Sequence, residues 1–257
     1  MIHYEKNHLS FRVNNGFNLH FLPHMHQEIE ILYVKKGSML VTLQHTTYTV
    51  NASDIVLIMP HVLHGYHSPE PSEHIITIFN SSLISHYHSL MTMQCQYPII
   101  EGTSLHPDVP FYLEALLNPE VKQDTGLQKG YLYLLFTRLM PQVSFVKSEH
   151  SPHQDLLYKC LEYIHLNFYE SLSLELVARH LGVSSTYVSR LFNNSVGYSF
   201  TYYINTLRIN YAKYLLQETT RPITQISFDC GYENVRHFNR VFKEMTGTSP
   251  RAYQRSL

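Results

Sequence analysis

The stretch HMHQEIE, His24 to Glu30, sets two histidines two apart and a glutamate four beyond the second. His64, after Pro60, offers a third imidazole further along the chain. Three imidazoles and one carboxylate suit a divalent first-row metal. The same groups also suit the polar lining of a pocket for a small molecule. Side chains alternate along a strand, so His24, His26, Glu28 and Glu30 are expected on one face with Leu32 and Val34. Ile29, Ile31 and Tyr33 then occupy the other face, so both sides of the strand are covered. A ligand at this place would touch His24, His26, Glu30, Tyr33 and His64.

These residues fall in a segment of period near two, from about Phe17 to Phe79. The runs ILYV (31–34), MLVTLQ (39–44), TYTV (47–50), DIVLIM (54–59) and HIITIF (74–79) carry the β-branched and aromatic residues of strands. Turn formers separate them, as in Lys36-Gly37-Ser38 and Ser68-Pro69-Glu70-Pro71. Short strands at this spacing predict a sandwich or barrel. Residues 1–16 precede it as a candidate N-terminal arm. After Leu105 the period lengthens. PFYLEALLN (110–118) and LQKGYLYLLFTRLM (127–140) read as helices that pack on the barrel or join two copies as a homodimer.

Composition excludes several classes. The chain has 257 residues, 44% of them hydrophobic and 15% charged, which suits a globular protein of one or two domains. The start, MIHYEKNHLS, lacks the apolar core of a signal peptide, and no apolar run approaches a membrane span. Cys95, Cys160 and Cys230 are scattered without metal or disulfide spacing, which fits a reducing cytoplasm. Residues 1–150 hold eight Lys/Arg against twelve Asp/Glu, whereas 151–257 hold eleven against eight. The basic second half is therefore the one expected to meet an anionic partner.

That second half follows a polar stretch, KSEHSPHQ, read as a linker over 148–154 between domains 1–147 and 155–257. Leu156, Leu157, Cys160, Leu161 and Ile164 form one helical stripe. Next come a short helix from Leu174, Gly182, and a helix through TYVSRLFNN. A long helix spans 199–217. The pattern then returns as ITQISFDC, Gly231 and NVRHFNRVFKEM. Arg190/Arg240, Phe192/Phe242, Gly197/Gly247, Ser199/Ser249 and Tyr203/Tyr253 recur at one offset. Two helix-turn-helix units, about 174–194 and 223–245, are thus predicted. Held on one rigid helix, they would meet major-groove segments about 34 Å apart.

Helical phase assigns the faces. Val188, Leu191 and Phe192 point inward, as do Phe238, Val241 and Phe242. Thr186, Ser189, Arg190 and Asn193 are left outward on the first of these helices, and Val235, Arg236, Asn239 and Arg240 on the second. Arg190 and Arg240 could each bridge guanine O6 and N7, or could instead close an intradomain salt bridge. Ser184, Asn234 and Lys243 are candidates for phosphate contacts. Arg208, on the connecting helix, reads as structural.

ITQISFDCGYENVRHFNRVFKEMTGTSPRAYQ resembles the C-terminal signature of AraC/XylS-type regulators, and the resemblance extends back through LELVARHLGVSSTYVSRLF. It implies an α+β two-domain protein that binds double-stranded promoter DNA and recruits or hinders RNA polymerase. Val235 and Arg236 depart from the small polar residues frequent there, which should alter sequence preference. The HxHxxxE spacing with Gly37 is similar to a first cupin motif, and SDIVLIMPHVLH to a second, with Ser53, His61 and Met59 replacing its usual residues. The resemblance implies a jelly-roll sensor for a small molecule such as a sugar, with no required cofactor and a divalent metal as an option. A metal-dependent cupin enzyme with a helical tail is the alternative.

Overall fold

The computed structural model describes residues 10–147 and 152–255, and these divide into two compact units at the gap. The first is built on antiparallel strands. They are β1 (Phe11–Phe17), β2 (His20–His24), β3 (Ile29–Lys36), β4 (Ser38–Leu43), β5 (Thr46–Asn51), β6 (Ile55–Ile58), β7 (His64–His67), β8 (Glu73–Phe79), β9 (Met93–Cys95), β10 (Ile99–Ile100) and β11 (Phe145–Lys147). One sheet runs β1-β8-β3-β6-β10 and a second runs β2-β7-β4-β5, while β9 and β11 pair apart.

Helices α1 (Asp108–Leu116), α2 (Pro119–Gln123) and α3 (Thr125–Leu139) follow, after a 3-10 segment over Ser81–Thr92 that the sequence did not announce. Val109, Leu113 and Leu116 of α1 and Leu132, Leu135, Phe136 and Leu139 of α3 share one core with Ile29, Ile31, Tyr33, Ile55, Leu57, Ile75 and Phe79. The helices therefore cover one face of the five-stranded sheet. Burying that apolar surface is the main force holding them there.

Three expectations need correction. Phe11–Phe17 is not an arm but strand β1, paired along its whole length with β8; residues 1–9 of the proposed arm lie outside the described residues. The strand drawn through His24 and Glu30 is two strands. β2 ends at His24 in one sheet and β3 begins at Ile29 in the other. Pro23 lacks a backbone N–H, and the β2–β7 register shifts between Phe21 and His24; His24 still pairs with His64, and the chain crosses after it. The linker is shorter than expected, because α4 (Pro152–Asn167) starts inside it. Proline fits the first turn, where no helical N–H bond is lost.

The second unit continues with α5 (Leu174–Leu181), α6 (Ser185–Val196), α7 (Phe200–Glu218), α8 (Ile223–Asp229), α9 (Val235–Thr246) and α10 (Pro250–Arg255). Its boundaries follow from caps. The side chains of Ser173, Ser184, Ser199 and Asn234 accept hydrogen bonds from the first turns of α5, α6, α7 and α9. The sequence repeat is a structural one. Phe192 meets Tyr203 edge to face at 5.0 Å, and Phe242 meets Tyr253 in the same way at 5.7 Å. Arg208 is structural, as expected: it donates to the carbonyls of Phe168 and Glu170 and lies over the Tyr232 ring. No helix among the described residues is long and apolar enough to cross a membrane.

Candidate functional site

Each helix-turn-helix presents an outward face on its second helix. In α6, Val188, Leu191 and Phe192 are buried, while Thr186, Arg190 and Asn193 are exposed and Ser189 is half-buried. In α9, Phe238, Val241 and Phe242 are buried; Arg236, Asn239, Arg240 and Lys243 are exposed and Val235 is half-buried. The predicted faces are therefore those the fold leaves open. Exposed Tyr187 and His237 belong to the same faces and were missed. They are repeat equivalents of each other, and that offset was the signal for them.

Ser184 and Asn234 spend their side-chain oxygens on capping, with Ser184 accepting from Tyr187 N and Asn234 from Arg236 N. A hydroxyl hydrogen and an amide NH2 remain as donors for phosphate. Arg240 pairs with Glu244 one turn on, at 2.8 Å, with both side chains exposed. Such a pair is worth less than about 1 kcal/mol, so it does not hold Arg240 from a stronger partner. Arg190 has no ion pair among the described residues.

The second constellation lies in the first unit. β2 supplies His24, β3 supplies Glu30, β7 supplies His64, and His26 comes from the crossing between sheets. One ligand atom from each of the four lies within 4.8 Å of every other. His24, Glu30 and His64 are buried, and His26 nearly so. His26 Nε2 is 3.0 Å and His64 Nε2 3.4 Å from Glu30 Oε2. Tyr66 donates its hydroxyl proton to Glu30 Oε1.

Backbone carbonyls choose the histidine tautomers. His24 Nδ1 faces Leu22 O at 3.1 Å, His26 Nδ1 faces Glu28 O at 3.1 Å, and His64 Nδ1 faces Val62 O at 2.8 Å. A carbonyl only accepts, so each Nδ1 carries the proton. In the neutral rings each Nε2 then keeps a lone pair. For His26 and His64 that lone pair meets a carboxylate oxygen, an arrangement that needs a proton or a cation between them. Burial alone would raise the Glu30 pKa, but with a proton on the facing Nε2 atoms the hydrogen bonds and charge of His26 and His64 outweigh it and hold it well below the usual value. Burial, then the charge of Glu30, drives the Tyr66 hydroxyl well above its usual pKa and keeps it a donor.

Tyr33 does not join this group. It packs with Ile29 and Ile31 in the helix-covered core, on the face of β3 opposite Glu30. Strand alternation had placed it there, so naming it as a ligand contact is corrected. Tyr66 takes its place. Burial pushes the Cys95 and Cys160 thiols up to about 12, so neither offers a ready thiolate.

On the same sheet, burial drives His74 down to about 4 from its usual 6.5, against the charges of Glu30 and Glu73. The fold binds this imidazole neutral. Its stabilisation is full above pH 6.5 and is lost as the pH falls towards 4, up to about 3 kcal/mol. A His74→Leu chain should therefore lose less melting temperature than wild type between pH 7 and pH 4.5. Equal losses would show that His74 does not set the acid sensitivity.

The pattern of the AraC-like ligand binding domain matches residues 11–161, and that of a helix-turn-helix domain matches residues 177–256. An uncharacterized HTH-type transcriptional regulator of Staphylococcus aureus strain MSSA476 is 32% identical over 126 residues, which is 47% of this chain and 17% of that protein. The chain thus spans under a fifth of that relative. YdiP of Escherichia coli K12, an uncharacterized HTH-type transcriptional regulator, is 27% identical over 91% of this chain and 81% of its own length. In fold the chain is similar to ToxT from Vibrio cholerae, with a TM-score of 0.57 and 16% identity over 97% of this chain and 99% of that one. ToxT with an unsaturated fatty acid bound gives 0.55 and 17% over 97% and 96%. With a ligand-binding pattern over more than half its length and a helix-turn-helix pattern after it, the chain belongs to the AraC family of helix-turn-helix transcriptional regulators.

Proposed function

We propose that the chain binds promoter DNA through α6 and α9 and answers to a small molecule in its N-terminal sandwich, with a divalent ion at His24, His26, Glu30 and His64. The observation that carries the DNA reading is the pair of capped helices with matching outward faces, joined by the single helix α7. The two faces differ in charge. On the assigned face of α6 Arg190 is the one cation, whereas α9 offers Arg236, Arg240 and Lys243. The second helix-turn-helix then supplies most of the phosphate attraction.

The tautomers support the ion. Three imidazole lone pairs and a carboxylate converge on one point, and each imidazole is oriented by a backbone acceptor behind it, as metal-binding histidines are. When bound, the ion supplies open coordination positions for an oxygen of the effector. The fatty-acid-bound ToxT supports a small-molecule effector for a protein of this fold. Exposed Phe111, Leu127 and Leu134, on the outer sides of α1 and α3, suit contact with a second copy of the chain. At its promoter the dimer would recruit or hinder RNA polymerase. The naming of the relatives as regulators favours this reading over an enzyme.

Selection of bound duplexes from a random pool, using the full chain, tests the DNA reading. A defined consensus is expected. Arg190→Ala and Arg236→Ala should each weaken binding by about 1–3 kcal/mol and relax preference at separate base positions. A pool with no enriched sequence, or variants that bind as wild type does, would sink the assignment.

A further inference from the structure

The two oxygens of Glu30 face different partners. Oε2 meets the Nε2 atoms of His26 and His64, at 3.0 and 3.4 Å. Oε1 accepts the hydroxyl proton of Tyr66. A carboxylate can hold an ion with one oxygen or with both. Here the geometry divides them: Oε2 lies with the imidazole nitrogens, and Oε1 is turned to the phenol.

The fold keeps Tyr66 in place to maintain that division. It lies two residues after His64 on β7, so strand alternation brings both side chains to one face. Backbone ladders fix it on either side, with Phe21 of β2 and Val41 of β4 as its partners in register. Its ring centroid stands 5.6 Å from that of His64 and 6.3 Å from that of His24. Tyr66 and Glu30 are both buried, so bulk water does not compete for the bond between them. A hydrogen bond to an ionised carboxylate is about twice as strong as a neutral one. Turning Oε1 towards an ion would break it.

The consequence lies in the coordination positions left open. A chelating carboxylate occupies one more position than a single oxygen does, and so leaves one fewer for an incoming ligand. We propose that Tyr66 is a positioning residue that restrains Glu30 to single-oxygen ligation and so keeps a coordination position open for the effector. This rests on the metal reading above. Tyr66 acts only through Oε1 of Glu30 and is not itself a ligand.

The test uses the full chain saturated with Co(II), with azide as the probe of an open position. The visible absorption of the wild type should shift saturably as azide is added. Tyr66→Phe removes the hydroxyl and keeps the ring, which frees Oε1 to chelate. Its Co(II) spectrum should differ from that of the wild type before azide is added. Its azide affinity should fall about tenfold or more, the scale on which outer partners of metal ligands act. Tyr66→Met, which fills much of the space without a donor, stands in if the phenylalanine variant does not fold. A role in packing alone would lower the melting temperature and leave the Co(II) spectrum and the azide response unchanged. A role in orienting Glu30 alone would weaken Co(II) uptake and leave the azide response unchanged. Either pattern would overturn this inference. Uptake of Co(II) by the wild type with no response to azide would overturn it too, and would leave the metal in place. Failure of the wild type to take up Co(II) would overturn the metal reading and this inference with it.

Discussion

A Gly231→Ala chain should lose about 3 kcal/mol or more from its C-terminal unit, whereas Gly182→Ala should lose only about 1 kcal/mol. Both glycines hold helix-turn-helix turns with positive φ, 69° at Gly182 and 81° at Gly231. The conformational cost of a side chain is therefore nearly the same. Space separates them. A Cβ at Gly182 meets nothing within 4 Å, but at Gly231 it would lie 2.6 Å from the carbonyl oxygen of Tyr169.

That carbonyl cannot move away cheaply. Arg208 holds the carbonyls on either side of it, those of Phe168 and Glu170, at 2.6 and 2.7 Å. Shifting the segment would break charge-assisted hydrogen bonds of a half-buried guanidinium, each worth about 1.5–3 kcal/mol. Shifting the turn instead would tilt α9 out of phase with α6. Thermal melts and duplex binding on both variants would check this. Equal destabilisation by the two alanines would show that the Tyr169 contact is not the constraint.

Protein prepared without chelator should carry one divalent ion per chain. With free metal at a thousandfold above Kd, the ion should stabilise the N-terminal unit by about 4 kcal/mol. His64→Ala and Glu30→Ala should each weaken uptake by more than about 100-fold, since even outer partners of metal-bound histidines are worth 10–100-fold. Glu30→Gln separates a metal site from an ordinary hydrogen-bond network. In the metal-free chain, its amide N–H can donate to the lone pairs of His26 and His64 that the carboxylate opposes. The variant should therefore melt at or above the temperature of metal-free wild type while losing the ion. In an ordinary ion-paired network the same change would cost about 3–5 kcal/mol. Metal analysis and melts with and without Zn(II) or Mn(II) decide it. No ion and no shift in melting would remove the metal from this site.

Much of the C-terminal unit was legible before any coordinates. Helix-turn-helix geometry is local: Ser173, Ser184 and Asn234 are caps within three residues of the groups they bind. Inward and outward faces follow from the 3.6-residue period. The repeat supplies a second copy of each position, as for Tyr187 and His237, 50 residues apart on equivalent faces. The closure of Phe192 on Tyr203, and of Phe242 on Tyr253, was present as matching letters and absent as a contact.

The N-terminal unit was legible only in part. Period-two runs predicted strands, and strand alternation placed Ile29, Ile31 and Tyr33 opposite Glu30. Sheet membership depends on pairing between distant segments, which no local period encodes. So no local pattern marks β1 as a partner of β8 or links Tyr66 to Glu30, 36 residues away.

Read by itself, HMHQEIE determined which donors exist and that a metal or a polar pocket could use them. Together with the Arg190/Arg240 repeat, it pointed to a sensor-like half followed by two helix-turn-helix units. Tertiary structure decided the rest. β2 ends at His24, the chain crosses between sheets, and His24 and His64 from one sheet close on Glu30 of the other. Carbonyls of Leu22, Glu28 and Val62 then turn three lone pairs inward. That orientation arises from backbone positions across two sheets, so the residues themselves do not carry it.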